Sequence, residues 1–358
     1  MQMSSNEDIL RKALLAIAYT RAGRNRSNKP CIIEGHRYYG ETLRLMQQML
    51  YDPMLSHSDE VLAAARCMCL YESFESTTGT MASWINQNRG IARMLEVRGP
   101  RNCREPFPRA VLESVRQNMM IVGIITRTPC FLEQEDWRTQ PWIGISPKPL
   151  DQQLYDYGFV LATVYQEGGA ISADQPASWR VYVDIFTKVH DAYQALSQLN
   201  EEVSKIHDGT DHLLSTPLPV VKALLLALDL CFSLFANALL PTCTPEIVES
   251  HREVIGQLLG YAQDSRRQQL ARKIIQHLSS CLRTEPVFVM TMMLFPLNCA
   301  RFELKDNEGD KDRVNSLMSA LETGRGHRIT GSVRRAGQSL APPIARSSMF
   351  SQQTTADG

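Results

Sequence analysis

The chain has 358 residues, of which 44% are hydrophobic and 21% charged, so it can bury a substantial core. Thirty-eight Lys and Arg residues balance 38 Asp and Glu residues, which excludes a whole-protein field that would hold DNA phosphates or anionic lipid. Nine cysteines, an odd number without CxxC spacing, read as free thiols of a reducing compartment. We therefore expect a soluble intracellular protein.

Apolar residues recur at helical spacing along the chain, and sustained alternation of apolar and polar residues is rare. The sequence therefore predicts an all-α fold, a multi-helix array of packed antiparallel helices. The first helix is expected from Asn6, with Ser5 as N-cap and Gly23 just past its end. Further helices are expected at 36–51, from Ser58, at 81–98 with Gly99-Pro100 as its stop, and from Pro108.

Four prolines, Pro129, Pro141, Pro147 and Pro149, mark the segment 130–150 as a loop and a soft internal boundary of a domain that covers residues 1–322. Beyond it, helices are expected at 151–165, 177–206, 218–240, 245–261, 265–282, 286–302 and 311–321. The basic tail, residues 323–358, is rich in Arg, Ser, Gly and Gln and nearly lacks large apolar residues. It is expected to be disordered.

Two of these helices have a second interpretation. The stretch 223–240 is almost long enough to cross a bilayer, but Asp229 lies near its middle, which favours a buried core helix over a membrane span. A three-four spacing, typical of a coiled-coil seam, links Tyr182, Ile185, Val189, Ala192, Leu196, Leu199, Val203 and Ile206. Phe186 and Tyr193 widen that stripe, so packing inside the domain is favoured over a homodimeric coiled coil.

Candidate chemistry is sparse. His207, Asp208, Asp211 and His212 match no standard metal spacing, and Cys67 and Cys69 would point about 200° apart on a helix. The acidic run 133–136 reads as a solvated rim, and the segment 144–146 lacks the second glycine of a nucleophile elbow. We therefore predict no catalytic, cofactor-binding or metal residues, and a protein that is not an enzyme.

Several segments nevertheless resemble the regulatory helical domain of fungal binuclear-zinc-cluster transcription factors. They are Ser58-Asp59-Glu60-Val61-Leu62-Ala63-Ala64 with Leu70-Tyr71-Glu72, Trp84…Arg89-Gly90-Ile91-Ala92…Leu95…Arg98-Gly99-Pro100, Phe131-Leu132…Trp137…Pro141-Trp142, and Phe295-Pro296-Leu297…Ala300. Asn88 stands where the family usually has His. We interpret these residues as scaffold, with Trp84, Ile91 and Leu95 on one helical face and Gly90 at a close helix contact.

The resemblance implies a transcription-factor-like regulator in the nucleus, often of secondary-metabolite genes. Since the six cysteines of a zinc cluster are missing from this sequence, we expect contact with DNA to be only indirect or weak. The expected partners are proteins, such as a complete transcription factor or a second copy in a homodimer, and not a membrane. Two alternatives stay open: a cytoplasmic helical scaffold or ligand-binding protein, and an enzyme with an inconspicuous pocket.

Overall fold

A computed structural model describes residues 5–50, 58–75, 77, 81–171, 178–206, 214, 216–284 and 290–321. Within these ranges the chain forms helices and no strands, which confirms the predicted all-α class. The tail 323–358 and the segment 207–212 lie outside the described residues.

The described residues contain fourteen α-helices. In the first part of the chain they are α1 (Ser5–Asn25), α2 (Lys29–Leu50), α3 (Asp59–Glu75), α4 (Ala82–Arg98), α5 (Pro106–Thr126), α6 (Glu135–Thr139) and α7 (Leu150–Gly168). The second part has α8 (Trp179–Ser204), α9 (Leu218–Leu239), α10 (Pro245–Ser250), α11 (Arg252–Tyr261), α12 (Asp264–Thr284), α13 (Met290–Glu303) and α14 (Glu308–Ser319).

The helices fall into two compact units. The first unit includes Met1–Met119 and Gln134–Lys148, and the second includes Met120–Glu133 and Pro149–Leu317. In the first unit, α1 packs along α2 and against α3, and α3 packs on α4. In the second unit, α9 lies at the centre, in contact with α7, α8, α12 and α13.

The prediction that Gly23 ends the first helix is wrong. Helix α1 continues to Asn25, and the chain reverses at Ser27, whose φ of 51° lies in the left-handed region. A Cβ atom at Gly23 would lie 2.7 Å from Ile32 Cγ1. A glycine is needed here because α2 comes close to α1, and not because the helix stops.

Helix α2 begins earlier than the predicted residue 36. Asn28 caps its first turn, since the Asn28 Oδ1 atom accepts a hydrogen bond from the Cys31 backbone N–H at 3.2 Å. Pro30 occupies the first turn, where its missing N–H costs nothing. Capping and proline together therefore set the start of the helix seven residues before the expected one.

Two more predictions are corrected by the structure. The segment 130–150 is not a continuous loop, because it contains the 3₁₀ turn Phe131–Glu133, helix α6 and the 3₁₀ turn Gln140–Trp142. Its prolines lie at the starts of such short elements or between them, where they remove no interior hydrogen bond. The expected single helix at 245–261 is interrupted at His251, whose φ of −127° and ψ of 30° separate α10 from α11.

The apolar stretch around Asp229 forms α9. The span Leu218–Thr242 is long and apolar enough to cross a membrane by length and composition, but 78% of its most apolar window is buried inside the protein. Packing against five other helices of the unit, α11 included, explains this burial. The structure therefore places this segment as a core helix, as predicted.

Helix α8 buries the stripe that resembles a coiled-coil seam. Ile185, Val189 and Leu196 are buried within the single chain, together with the widening residues Phe186 and Tyr193. The helix packs on α7, α9 and α11. The favoured interpretation, a long helix packed inside the domain, is confirmed, since its apolar stripe is covered without a second copy.

Candidate functional site

The charged residue in the middle of α9, Asp229, lies at a polar site of the second unit. Both carboxylate oxygens of Asp229 accept hydrogen bonds from Arg266 on α12, Oδ1 from Nη1 and Oδ2 from Nη2, each at 2.8 Å. The Asp229 side chain is 14% exposed and that of Arg266 is 32% exposed. A bidentate pair of this kind is stronger and more directional than a single charge contact.

Two hydroxyl groups extend the pair into a network. Arg266 Nη1 also donates to Ser233 Oγ at 3.0 Å, and Ser233 Oγ lies 2.7 Å from the Tyr193 hydroxyl, in hydrogen-bond contact. The rings of Tyr193 and Tyr261 stack with centroids 3.8 Å apart, and the Arg266 guanidinium lies 5.5 Å from the Tyr261 ring centroid. Helices α8, α9, α11 and α12 are thus joined through one polar cluster.

Burial and the charge of Asp229 have opposite effects on the pKa of Arg266 and the same effect on the pKa of Tyr193. Burial disfavours the charge of Arg266, but the hydrogen bonds and attraction of Asp229 outweigh it and raise the pKa of the guanidinium. Burial, followed by the nearby Asp229 charge, raises the pKa of Tyr193 well above its usual value of 10.0. At neutral pH the cluster therefore holds a positively charged Arg266 beside a protonated Tyr193.

A cavity of about 320 Å³ opens above this cluster. Its lining comes from α8 (Tyr193, Leu196, Ser197, Asn200), α9 (Leu225, Leu226, Asp229), α11 (Tyr261) and α12 (Arg266, Gln269, Leu270, Lys273). The lining residues of α8 and of α12 each repeat at spacings of three and four, so each helix turns one face to the cavity. The volume lies within the usual range of small-molecule pockets.

The arrangement suits binding better than catalysis. The acid of the cavity is held by an arginine on both oxygens, so it is poorly placed to take a proton from a substrate. The polar cluster of Asp229, Arg266, Ser233 and Tyr193 forms the floor of the cavity. Its mutual contacts hold the floor in one geometry, as a recognition surface requires. We regard the cavity as the candidate functional site.

Sequence reasoning predicted no site residues and missed this one. The available signal was Asp229 itself, because an acid in the middle of an apolar helix must find a cation or a polar cavity. The partner could not be read from the pattern, since Arg266 is one of several cations on a polar helix and lies 37 residues away.

The residues considered for metal binding do not form a site where the structure describes them. No group of three or more His, Cys, Asp or Glu residues is placed to hold a metal ion in the described part of the chain. Cys69 is fully buried, and burial raises the pKa of its thiol to about 12. Burial also raises the pKa of Cys67. Both behave as core or near-core thiols.

The acidic run 133–136 forms part of a surface, as predicted. Glu135 and Asp136 are exposed in the first turn of α6, where they face the positive end of the helix. Glu133 accepts a hydrogen bond from the Thr163 hydroxyl. Trp137 beside them is buried and anchors the short helix.

Residues of the SDE and LYE segments hold the first unit together. Ser58 Oγ accepts a hydrogen bond from the Val61 N–H at 3.1 Å, which caps α3, and Asp59 pairs with Arg98 of α4 at 2.6 Å. Glu72 is fully buried and accepts hydrogen bonds from the hydroxyls of Tyr39 at 2.5 Å and Thr77 at 2.6 Å. These contacts support the scaffold interpretation.

The RGP segment is scaffold as well, with one correction. Trp84, Ile91 and Leu95 are buried on one face of α4, as expected. The Gly99 N–H donates to the Leu95 carbonyl at 3.0 Å, and its φ of 82° favours a glycine at the helix end. Gly90 does not lie at a close contact: it is exposed, and a Cβ atom there would meet no atom within 4 Å.

Fold and site together define an all-helical domain with a buried polar network and a small-molecule-sized cavity. Residues 1–159 match the family model described as a fungal specific transcription factor domain, which confirms the resemblance over α1 to the first half of α7. The match covers 159 of the 358 residues of the chain. The cavity residues and the segment 295–300 lie outside the matched range.

One relative extends the comparison. The chain is 26% identical over 107 residues to an uncharacterized protein of Emericella nidulans, a match that covers 30% of this chain and 22% of the relative. The chain therefore spans about a fifth of the length of the curated relative that it matches. No solved structure matches the chain.

Proposed function

We propose that this protein regulates the transcription of a local set of metabolic genes, such as a secondary-metabolite cluster, and that it acts in the nucleus through protein partners. The observation that carries the proposal is the match of residues 1–159 to a fungal specific transcription factor domain. That match supports a regulator-like role, and the family is in general nuclear and not enzymatic. The gene set and the mechanism through protein partners are part of our proposal and go beyond what the family match supports.

The balance of charge supports the partner mechanism. The chain has 38 basic and 38 acidic residues, so the attraction of the whole chain to DNA phosphates is weak. The residues of the most specific family segments are engaged in the scaffold of the first unit. A complete transcription factor, or a second copy of the chain, would then deliver the protein to its promoters.

The test combines a deletion strain with tagged forms of the full chain. Nuclear signal and coordinated loss of a gene set on deletion are expected. The tagged chain should occupy promoters of that set in chromatin immunoprecipitation, while the purified chain should not bind the same promoter fragments at physiological salt. Promoter occupancy should disappear when the partner identified by proximity labelling is deleted.

Matched glycine variants connect this test to the matched domain. Gly40→Ala, whose added Cβ would meet only the Arg44 guanidinium at an ordinary contact distance of 3.9 Å, should restore the transcripts in the deletion strain. Gly35→Ala, which strains the first unit, should restore them poorly at raised temperature. Cytosolic signal with unchanged transcripts would overturn the proposal.

The cavity between α8, α9, α11 and α12 favours a second candidate, a helical ligand-binding protein without a role in transcription. Its signature would be altered metabolites on deletion, with unchanged transcripts and a cytoplasmic protein. The same deletion strain separates the two candidates, because the first requires a transcript change and the second excludes it.

A further inference from the structure

The cavity of the second unit has a polar floor whose charges are already neutralised. Both carboxylate oxygens of Asp229 accept hydrogen bonds from Arg266. The Ser233 hydroxyl, which Arg266 also contacts, forms a hydrogen bond with the Tyr193 hydroxyl. A ligand that enters the cavity therefore meets a neutral, rigid floor. The floor offers no free carboxylate to a cation, which disfavours amines as ligands.

The open charge lies at the other end of the cavity. Lys273 follows Arg266 by two turns on the same face of α12 and lines the cavity. Lys222 on α9 does not line the cavity, but its charge and that of Lys273 both act on His277, where burial and then these two charges lower the pKa. Among the described residues, neither lysine has a carboxylate partner within 4.0 Å. This end of the cavity is positive and uncompensated.

The walls between these ends combine an apolar strip with neutral polar groups. Leu196, Leu225, Leu226 and Leu270 line the cavity from three helices, and the Tyr261 ring adds an aromatic surface. Ser197, Asn200 and Gln269 supply neutral hydrogen-bonding groups. An occupant would bury an apolar body against the leucines and place a negative group toward Lys273.

We propose that this cavity binds a small organic carboxylate with an apolar or aromatic body, its carboxylate directed to Lys273 and its body held between α8, α9 and α12. The ligand site goes beyond the regulatory function proposed above and does not depend on it. An effector bound here would tie four helices of the second unit together. The charge pattern distinguishes this ligand class from amines and from neutral alcohols of the same shape.

The test uses 4-phenylbutyrate, its neutral analogue 4-phenylbutanol and its cationic analogue 4-phenylbutylamine, titrated into the purified full chain by calorimetry. Because one charge contact at a partly exposed site is comparable to a tenfold change in affinity, the carboxylate should bind about tenfold more tightly than the alcohol. The amine should bind most weakly. Inorganic phosphate at the same concentrations should not compete, since it lacks the apolar body.

Three variants locate the binding. Lys273→Met keeps the apolar stem and should reduce carboxylate affinity about tenfold, to the level of the alcohol. Ser197→Trp, at an exposed position of the lining, should fill the cavity and abolish binding of both. Lys205→Met, which removes an exposed lysine at the end of α8 outside the lining, should leave both affinities unchanged.

Helical circular dichroism of each variant should match that of the unaltered chain. Equal affinity for the carboxylate and the alcohol, binding that survives Ser197→Trp in a folded protein, or an absence of saturable binding at millimolar concentration would each overturn the proposal. Competition by inorganic phosphate would also overturn it, because the site would then recognise a bare anion.

Discussion

Replacing Gly35 by alanine should push α1 and α2 apart. A Cβ atom at Gly35 would lie 2.0 Å from Thr20 Oγ1, 2.7 Å from the Thr20 backbone N and 3.0 Å from the Ala16 carbonyl oxygen. Since unstrained contacts between such atoms begin at about 3.5 Å, the backbone shortfall against Thr20 N is about 0.8 Å. The hydroxyl can rotate away, but two backbone atoms of a packed helix cannot.

The expected cost follows from two opposing effects. Alanine is favoured over glycine in a helix interior by about 1 kcal/mol. Overpacking a close helix contact costs roughly 1–3 kcal/mol, and more where backbone must move. Because α1 makes its most extensive packing with α2, the strain should prevail, and we expect a net destabilisation of about 1–2 kcal/mol.

The assay is urea unfolding followed by helical circular dichroism, with Gly40→Ala as the matched control. Gly40 lies on the same helix, and the nearest atom to its added Cβ is Arg44 Nη2 at 3.9 Å. The control should gain up to about 1 kcal/mol, so the two variants should move in opposite directions. If Gly35→Ala were as stable as Gly40→Ala, the close crossing of α1 and α2 would be refuted.

Three further predictions concern single positions. Gly90→Ala should raise the stability by up to about 1 kcal/mol in the same assay, because Gly90 is exposed inside α4 and its added Cβ meets no atom within 4 Å. Arg267→Met should cost about 3–5 kcal/mol at neutral pH, since it leaves Glu303, 8% exposed, without its partner. Burial already raises the pKa of Glu303 above 4.5, so the folded state binds the Glu303 proton more tightly than the unfolded chain does. The loss of stability caused by Arg267→Met should therefore grow as pH rises through the folded pKa of Glu303 and shrink toward pH 4.5. Denaturant titrations at several pH values would show this trend. Burial raises the pKa of Cys69 to about 12 and that of Cys103 to about 11, so iodoacetamide at pH 8 should label both only after unfolding; mass spectrometry that found them labelled in the native protein would contradict their burial.

Helix boundaries could be predicted where the sequence supplies a local physical signal. Ser58 caps α3 and Gly99 closes α4 because each acts on backbone groups within four residues. The burial of α8 and α9 could also be predicted, since wide apolar stripes must be covered. In each case the deciding interaction is short in sequence or is set by the apolar area of one helix.

The wrong predictions for Gly23 and Gly90 concern packing between helices, which the sequence of one helix does not show. Gly23 reads as a terminator, but its role is to admit Ile32 of α2. Gly90 reads as a packing glycine, but it faces open space. Glycine tolerates both a positive φ and the close approach of another helix. The local sequence around a glycine does not distinguish these two roles from an exposed position inside a helix.

At the candidate site, too, the local sequence indicates a need, and a second helix supplies the group that meets it. Asp229 could be recognised as costly in an apolar helix, and that cost predicts a partner without naming it. The structure supplies Arg266 from α12 and seals the pair with Ser233 and Tyr193. Since this network neutralises the acid, the remaining charge of the cavity is that of Lys273, and the preferred ligand is an anion even though the sequence signal was an aspartate.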